Sequence, residues 1–512
     1  MLIAPVFEGP GVCICVKNSS AKLMNYETKM VTFLQLRVGR PCVREFRTCI
    51  AALVDHQRDL SRRTFDVTQY RTLNFIEMTR LARRTPVIID TDPGVDDTLA
   101  ILLALSSPEL EVLAIIISFG NTDAQSSYSN VLKIYQAISR HIEHYPETAS
   151  RFPNFLSDRR TILALGEDGP LEGDLHSAQY FHGRDGLGEL TQRHPDLNVP
   201  DENPTDHPQL QLTEKSGVDV SLDLIRSEPE RSITYVALGP LTNLAEMMRR
   251  DRNVVRTRIG RIVCMGGALD VPGNTSPMAE FNFFADPYAV RELLTPTKPE
   301  LGIPLERFLL LPLDVTTPHE LSFPLYKARV DPPFQGTISP SQAHEKSPLV
   351  HFTSSFLERT REVMVEFGKD AMELHDPVAV WCAIANPPVM DEAEGVLPTL
   401  QLGWTAVKRT FEIERTGELT RGMLVIDRRD DQGAYAPGAN RAEVQAELEK
   451  HHFHHVGSYE STALPAQVEI ERRPSQELAS IQHLDGVACI TETPGPEVLV
   501  NLLLERIWGV VI

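Results

Sequence analysis

Pro86 to Leu105 reads PVIIDTDPGVDDTLAILLAL, and the architecture of the chain follows from it. PVIID is a short apolar run suited to a buried strand, and TLAILLAL, Thr98 to Leu105, reads as the start of an apolar helix. DTDPGVDD joins them. The same order recurs downstream. Val112 to Ile117 is a second strand candidate, with polar GNTDAQ at its exit, and Val131 to Ala137 reads as helix. Ile233 to Leu238 runs into the turn and helix GPLTNLAEMM, and Ile262 to Met265 into the glycine turn GGALDVPGN. Such alternation predicts an α/β fold: a single large open domain with a mostly parallel central sheet flanked by helices.

Two segments interrupt the pattern. Residues 192–216 hold Pro195, Pro200, Pro204 and Pro208 among acids, and 328–348 hold Pro332, Pro333, Pro340 and Pro348. Both are expected to be inserted surface loops. There is no internal repeat and no low-complexity tract.

Composition sets the outer limits. The chain has 512 residues, 42% of them hydrophobic and 23% charged, which excludes wholesale disorder and collagen-like or coiled-coil repeats. No apolar run reaches the ~18 residues of a membrane span. A net charge of -20 opposes nonspecific attraction to nucleic acid or anionic lipid, so neither is expected as a partner. The charge is uneven, because residues 1–84 carry 14 Lys and Arg against 7 Asp and Glu. A boundary near Arg84 is therefore expected, with a basic leader at 1–84 and the folded domain at 85–512.

Four of the seven cysteines, Cys13, Cys15, Cys42 and Cys49, fall in that leader. An odd total, sparse elsewhere, is no disulfide framework and points to a reducing, cytoplasmic compartment. The leader's arginines leave targeting open, but its acids and the Glu8 and Pro10 near its start fit neither a mitochondrial nor a secretory signal. It reads best as an appended or mispredicted start, with Met78 as an alternative initiation point. The histidines at 451, 452, 454 and 455 lack an acid or cysteine partner and read as a solvated helix end.

The chemistry belongs at the strand exit. Asp90, Asp92, Asp96 and Asp97 crowd where a parallel strand should end, which is where α/β sheets bind ligands. Four carboxylates together repel unless a cation neutralises them or protons are shared. Oxygen-only ligands point to Ca²⁺ or Mg²⁺ rather than zinc. Helix capping by Asp96 and Asp97 is the competing reading, and it leaves the other two acids unexplained.

DTDPGVDD, preceded by PVII, resembles the signature of the inosine-uridine preferring nucleoside hydrolases. Further motifs match in family order: Gly120-Asn121, HGRDGLG at 182–188, ALGPLTNLA at 237–245, MGG at 265–267, GNTSPMAEFNFFADP at 273–287, LPLDVT at 311–316 and HDP at 375–377. The resemblance implies hydrolysis of the N-glycosidic bond of a ribonucleoside to ribose and free base. Carried over by position, it implies a Ca²⁺ held by Asp92, Asp97, Asp376 and the backbone carbonyl of Leu238. It gives Asp96, Asn121, His182, Met265, Asn274, Glu280, Asn282 and Asp376 to substrate. Asp92 would be the general base for a calcium-held water, and His375 the acid for the leaving base, with His182 a second candidate. The family also implies a homodimer or homotetramer. Because the first tryptophan is Trp381, no early indole is available to sandwich a purine, and uridine is the foremost expected substrate. A metal-dependent phosphohydrolase would want a basic or Ser/Thr phosphate clamp that DTDPGVDD does not supply. A noncatalytic nucleoside-binding protein would have no use for Asp92 and His375.

Overall fold

A computed structural model describes residues 84–201, 204–389, 397–427 and 486–510. The leader up to residue 83 and the histidines at 451–455 lie outside the described residues. Strand β1 (Thr85–Thr91) and helix α1 (Val95–Leu105) form where the apolar runs placed them. They are followed by β2 (Leu110–Ile117), α2 (Ala124–His144), β3 (Thr161–Leu165), the short α3 (Gln179–His182) and β4 (Leu210–Leu212). Next come α4 (Gly217–Ser227), β5 (Thr234–Ala237), α5 (Thr242–Arg258), β6 (Arg261–Met265) and α6 (Phe281–Ala285). The chain continues through β7 (Phe308–Leu311), α7 (Leu313–Thr316), β8 (Glu320–Ser322), α8 (Pro348–Glu366), β9 (Ala371–Glu373) and α9 (His375–Ala385). β10 (Thr405–Arg409), the small pair β11 (Glu412–Ile413) and β12 (Leu424–Val425), and β13 (Val487–Glu492) complete the strands.

Nine strands make one sheet in the order β10-β13-β7-β6-β5-β1-β2-β3-β4. All neighbours run parallel except β10 against β13, so the mostly parallel α/β expectation holds. Helices cover both faces because alternate strand residues point opposite ways. Val87 and Ile89 enter the core built with α1, α2, α8 and α9, whereas Ile88 enters the core built with α4 and α5. Helix α1 is buried at every position but Asp96, because α9 packs over it, and that is why its sequence is apolar on all sides. No helix of the described residues is long and apolar enough to cross a membrane.

Topology places the site. From β1 the chain builds outward through β2, β3 and β4, then returns at β5 to the opposite edge of β1. The crevice between β1 and β5 is thus the switch point at which open parallel sheets bind ligands, outside the carboxyl ends of the strands.

Both inserted segments are more structured than expected. Within 192–216, Leu210–Leu212 pairs with β3 as an edge strand, since Leu210 finds the apolar flank of the sheet. Within 328–348, Phe334 is buried, and Asp331 pairs with Lys346 at 2.6 Å with both side chains almost fully covered. A buried ion pair needs fixed geometry and further hydrogen bonds, and Ser354 supplies one to Asp331 at 2.6 Å. That segment is anchored into the body rather than lying over it.

Candidate active site

β1 delivers Asp92 to the switch point, fully buried. Its Oδ2 accepts the Asn121 backbone N–H at 2.7 Å, while its Oδ1, equally buried, has no hydrogen-bond partner among the described residues. An unsatisfied buried carboxylate oxygen is costly and calls for a ligand. Two glycines press their backbone against it. A Cβ at Gly120 would come 2.0 Å from Oδ2, and one at Gly239 would come 2.7 Å from Oδ1. Any side chain there would displace Asp92.

Asp97, at the third position of α1, accepts Thr91 Oγ1 at 2.5 Å on one oxygen and the Gly94 N–H at 3.1 Å and Asn121 Nδ2 at 2.8 Å on the other. The capping interpretation is therefore correct for Asp97 as far as it goes, because Gly94 caps the helix. It does not account for the neighbours. Carboxylate oxygens of Asp96, Asp97 and Asp376 lie within 4.8 Å of one another, and the charge of Asp92 acts on Asp376. Burial first, then mutual repulsion, pushes Asp92 and Asp376 well above the usual carboxylate range and Asp96 up to about 7. A divalent cation among them would relieve both the repulsion and the orphaned oxygen, and an all-oxygen set suits a hard ion. Leu238 presents its carbonyl to the same region, already accepting Asn282 Nδ2 at 2.6 Å.

Asp90, one step earlier on β1, turns away from this cluster. It accepts Tyr235 Oη and Asn243 Nδ2, each at 2.7 Å, and burial raises it to about 7. It ties β1 to β5 and α5.

Above the carboxylates opens a cavity of about 320 Å³. Asp96, Asn121, His182, Leu238, Met265, Asn274, Glu280, Asn282, His375 and Asp376 all line it, with Asp92 and Asp97 buried behind. Several of these groups also hold the wall together. Glu280 caps α6 through the Asn282 and Phe283 N–H groups and accepts the Gly267 N–H at 2.7 Å, and Asn274 Oδ1 accepts the Phe281 N–H at 3.0 Å. Phe181, Met364, Phe367 and Met372 add apolar surface to the same lining, which also includes Lys369 and Glu373.

The two histidines differ in state. His182 Nδ1 accepts the Val95 N–H at 3.2 Å, and burial lowers it to about 4, which leaves a neutral ring with its proton on Nε2. His375 is also buried, which opposes its charge, but the hydrogen bond from Nε2 to Glu373 at 3.1 Å and the charges of Asp96, Glu373 and Glu280 outweigh this and raise it. Its Nδ1 meets Thr316 Oγ1 at 2.8 Å. Burial pushes Glu373 up, yet its pairing with His375 and Lys369 prevails and holds it at about 2. The pairing with Glu373 thus favours the protonated form of His375.

The profile of the inosine-uridine preferring nucleoside hydrolases matches residues 87–455. The chain is 32% identical over 342 residues to the pyrimidine-specific ribonucleoside hydrolase RihA of Citrobacter koseri, covering 67% of this chain and 88% of that protein. The chain belongs to the inosine-uridine preferring nucleoside hydrolase family. It is, accordingly, an N-glycosidic hydrolase. Uridine nucleosidase 1 of Arabidopsis thaliana is 33% identical over 216 residues, which span 42% of this chain and 54% of the plant protein. Among solved structures, a plant nucleoside hydrolase superposes with a TM-score of 0.52 at 22% identity, over 83% of this chain and 99% of its own. The purine-preferring ribonucleoside hydrolase of Gardnerella vaginalis gives 0.52 at 20% identity, over 83% and 98%. At such identities the likeness is one of fold.

Sequence reading of this nucleoside hydrolase missed Glu373 and Thr316, the partners of His375, and the apolar side chains of the cavity lining. Glu373 had a signal. It is an acid two residues before His375, at the end of β9 and just ahead of α9. Trp381 is no base platform, since it packs against Trp404 with ring centroids 4.7 Å apart.

Proposed function

We propose that this nucleoside hydrolase cleaves pyrimidine or mixed ribonucleosides, uridine foremost, to ribose and free base. The orphaned Oδ1 of Asp92 at the β1/β5 switch point is the observation that carries this reading. Asp92, Asp97, Asp376 and the Leu238 carbonyl would hold Ca²⁺. An ion held there would supply the charge that acidifies a nearby water. Asp92 accepts the water's proton as general base. Asp96, Asn121, Asn274, Glu280 and Asn282 offer carboxylate and amide groups to the sugar hydroxyls, and Met265 lines the same cavity. The surrounding carboxylates stabilise the positive charge that develops on the sugar. His375 protonates the departing base, and His182 donates a hydrogen bond from Nε2.

The apolar side chains of the lining offer a surface for a planar ring without an indole, and the pyrimidine-specific name of the Citrobacter relative agrees with that preference. A phosphohydrolase fits poorly, since the lysine lining the cavity, Lys369, is engaged by Glu320 and Glu373 at 2.8 and 2.6 Å. Reducing-sugar release from uridine, cytidine, inosine and adenosine tests the reading. Uridine should rank first, and a clear preference for purines would overturn the substrate assignment.

The purified protein is expected to carry stoichiometric calcium, and Asp376→Asn to lower that content. Elemental analysis finding no calcium in the wild type would reject the ligand set. We further propose a homodimer or homotetramer in the cytoplasm, where the buried free thiols of Cys264, Cys382 and Cys489 would stay reduced. The folded domain would begin at residue 85. A chain starting at Met78 keeps Arg84, whose Nε donates to the Leu110 carbonyl at 2.7 Å, and should fold and turn over nucleosides like the full chain. Insoluble protein on truncation would place the boundary earlier.

A further inference from the structure

Away from the nucleoside cavity, the chain leaving the HGRDGLG segment meets α8 through a group of nitrogen and oxygen ligands that catalysis does not use. His194 and Asp196 flank Pro195 at the start of a 3₁₀ turn (Pro195–Leu197), and His351 lies in the first turn of α8. One ligand atom from each lies within 4.8 Å of the other two. We propose that His194, Asp196 and His351 bind a zinc ion that clips this insertion onto α8.

Two imidazoles and one carboxylate suit a borderline-soft ion and not calcium. Both rings are almost fully buried, whereas the Asp196 side chain is 52% exposed, so the group is rigid on the inside and open to solvent on one side. Three protein ligands leave a fourth position for water in a zinc site. A cavity of about 170 Å³ lined by Asp196 and His351 gives it room.

Metal-binding histidines are oriented by a hydrogen bond to the second ring nitrogen, and both rings have one. His194 Nε2 meets Glu358 Oε2 at 3.0 Å, and His351 Nδ1 meets Ser341 Oγ at 2.9 Å. Glu358 is itself held by Arg193 at 2.7 Å and by the Ser341 N–H. The Nε2 of His351 meets Asp196 Oδ2 at 2.9 Å, and zinc would take the place of the proton between them. The Ser341 hydroxyl can accept or donate, so it serves either tautomer.

Zinc titrated into the full-length protein, with calcium saturating throughout, tests the proposal independently of turnover. The wild type should bind one equivalent more than either Asp196→Asn or His351→Gln, and zinc should raise its Tm but not theirs. Asp196 is half-exposed, so its variant decides the matter even where His351→Gln fails to fold. Histidines 451–455 are intact in all three proteins, and any zinc they take cancels in the difference. Cobalt in place of zinc should give tetrahedral visible absorption in the wild type that Asp196→Asn lacks. Equal zinc stoichiometry in the wild type and Asp196→Asn would overturn the site.

Discussion

Asp92→Asn should lower kcat by at least about 10²- to 10⁴-fold, the general-base share alone. The geometry makes the variant informative. The amide oxygen can keep the Asn121 N–H bond now made by Oδ2, which places the amide nitrogen where the partnerless Oδ1 stands. A donor would then point where a cation belongs, so proton acceptor and metal ligand are lost together. The protein should stay folded, because Asp92 is held by the close approach of Gly120 and Gly239 and the isosteric amide fits the same space. Added calcium should not restore turnover, while a ribose-like inhibitor should still bind, more weakly.

Asp90→Asn is the comparison. Both of its oxygens accept hydrogen bonds, from Tyr235 and Asn243, and an amide nitrogen would face one of those donors. A loss of about 1–3 kcal/mol in stability is expected for such a mismatch, with a much smaller effect on turnover. If Asp92→Asn turns over within about tenfold of wild type with calcium bound, where a general base alone accounts for about a hundredfold, water activation has been assigned to the wrong residue.

His375→Ala should separate help to the leaving base from activation of the sugar. On uridine, kcat should fall by about 10²- to 10⁴-fold, the usual share of a general acid. On a p-nitrophenyl riboside, whose phenolate departs unprotonated, the loss should nearly vanish. Glu373→Gln keeps an acceptor for His375 Nε2 but removes a charge that favours the protonated ring, so its loss should be smaller and follow the same substrate pattern. Equal losses of His375→Ala on both substrates would leave His375 as a support for Asp376 only.

The turn at Asp92 could be read in advance because an apolar strand, a Pro-Gly turn and an apolar helix stand next to each other in sequence, and local order is what periodicity reports. β4 escaped notice because three residues, LQL, within a proline-rich segment carry no period. Its strand character comes from pairing with β3, a tertiary effect. The anchoring of the second insertion depends on Asp331 meeting Lys346 and Ser354, which sequence separation hides. Similarly, His194 and His351 become neighbours only when α8 packs beside the first insertion. In the candidate site, the residues that could be found were those in contiguous motifs. Thr316 lay inside one of them, but its role follows from the fold that brings it to His375.

Isotopic labelling is the most direct test of hydrolysis by water at the sugar carbon. Uridine incubated with the calcium-loaded protein in ¹⁸O-water should yield uracil and ribose in equal amounts, with the label on the ribose anomeric oxygen after correction for exchange. Absence of free ribose, or cleavage only when phosphate is supplied and with ribose phosphate as the product, would contradict the assignment.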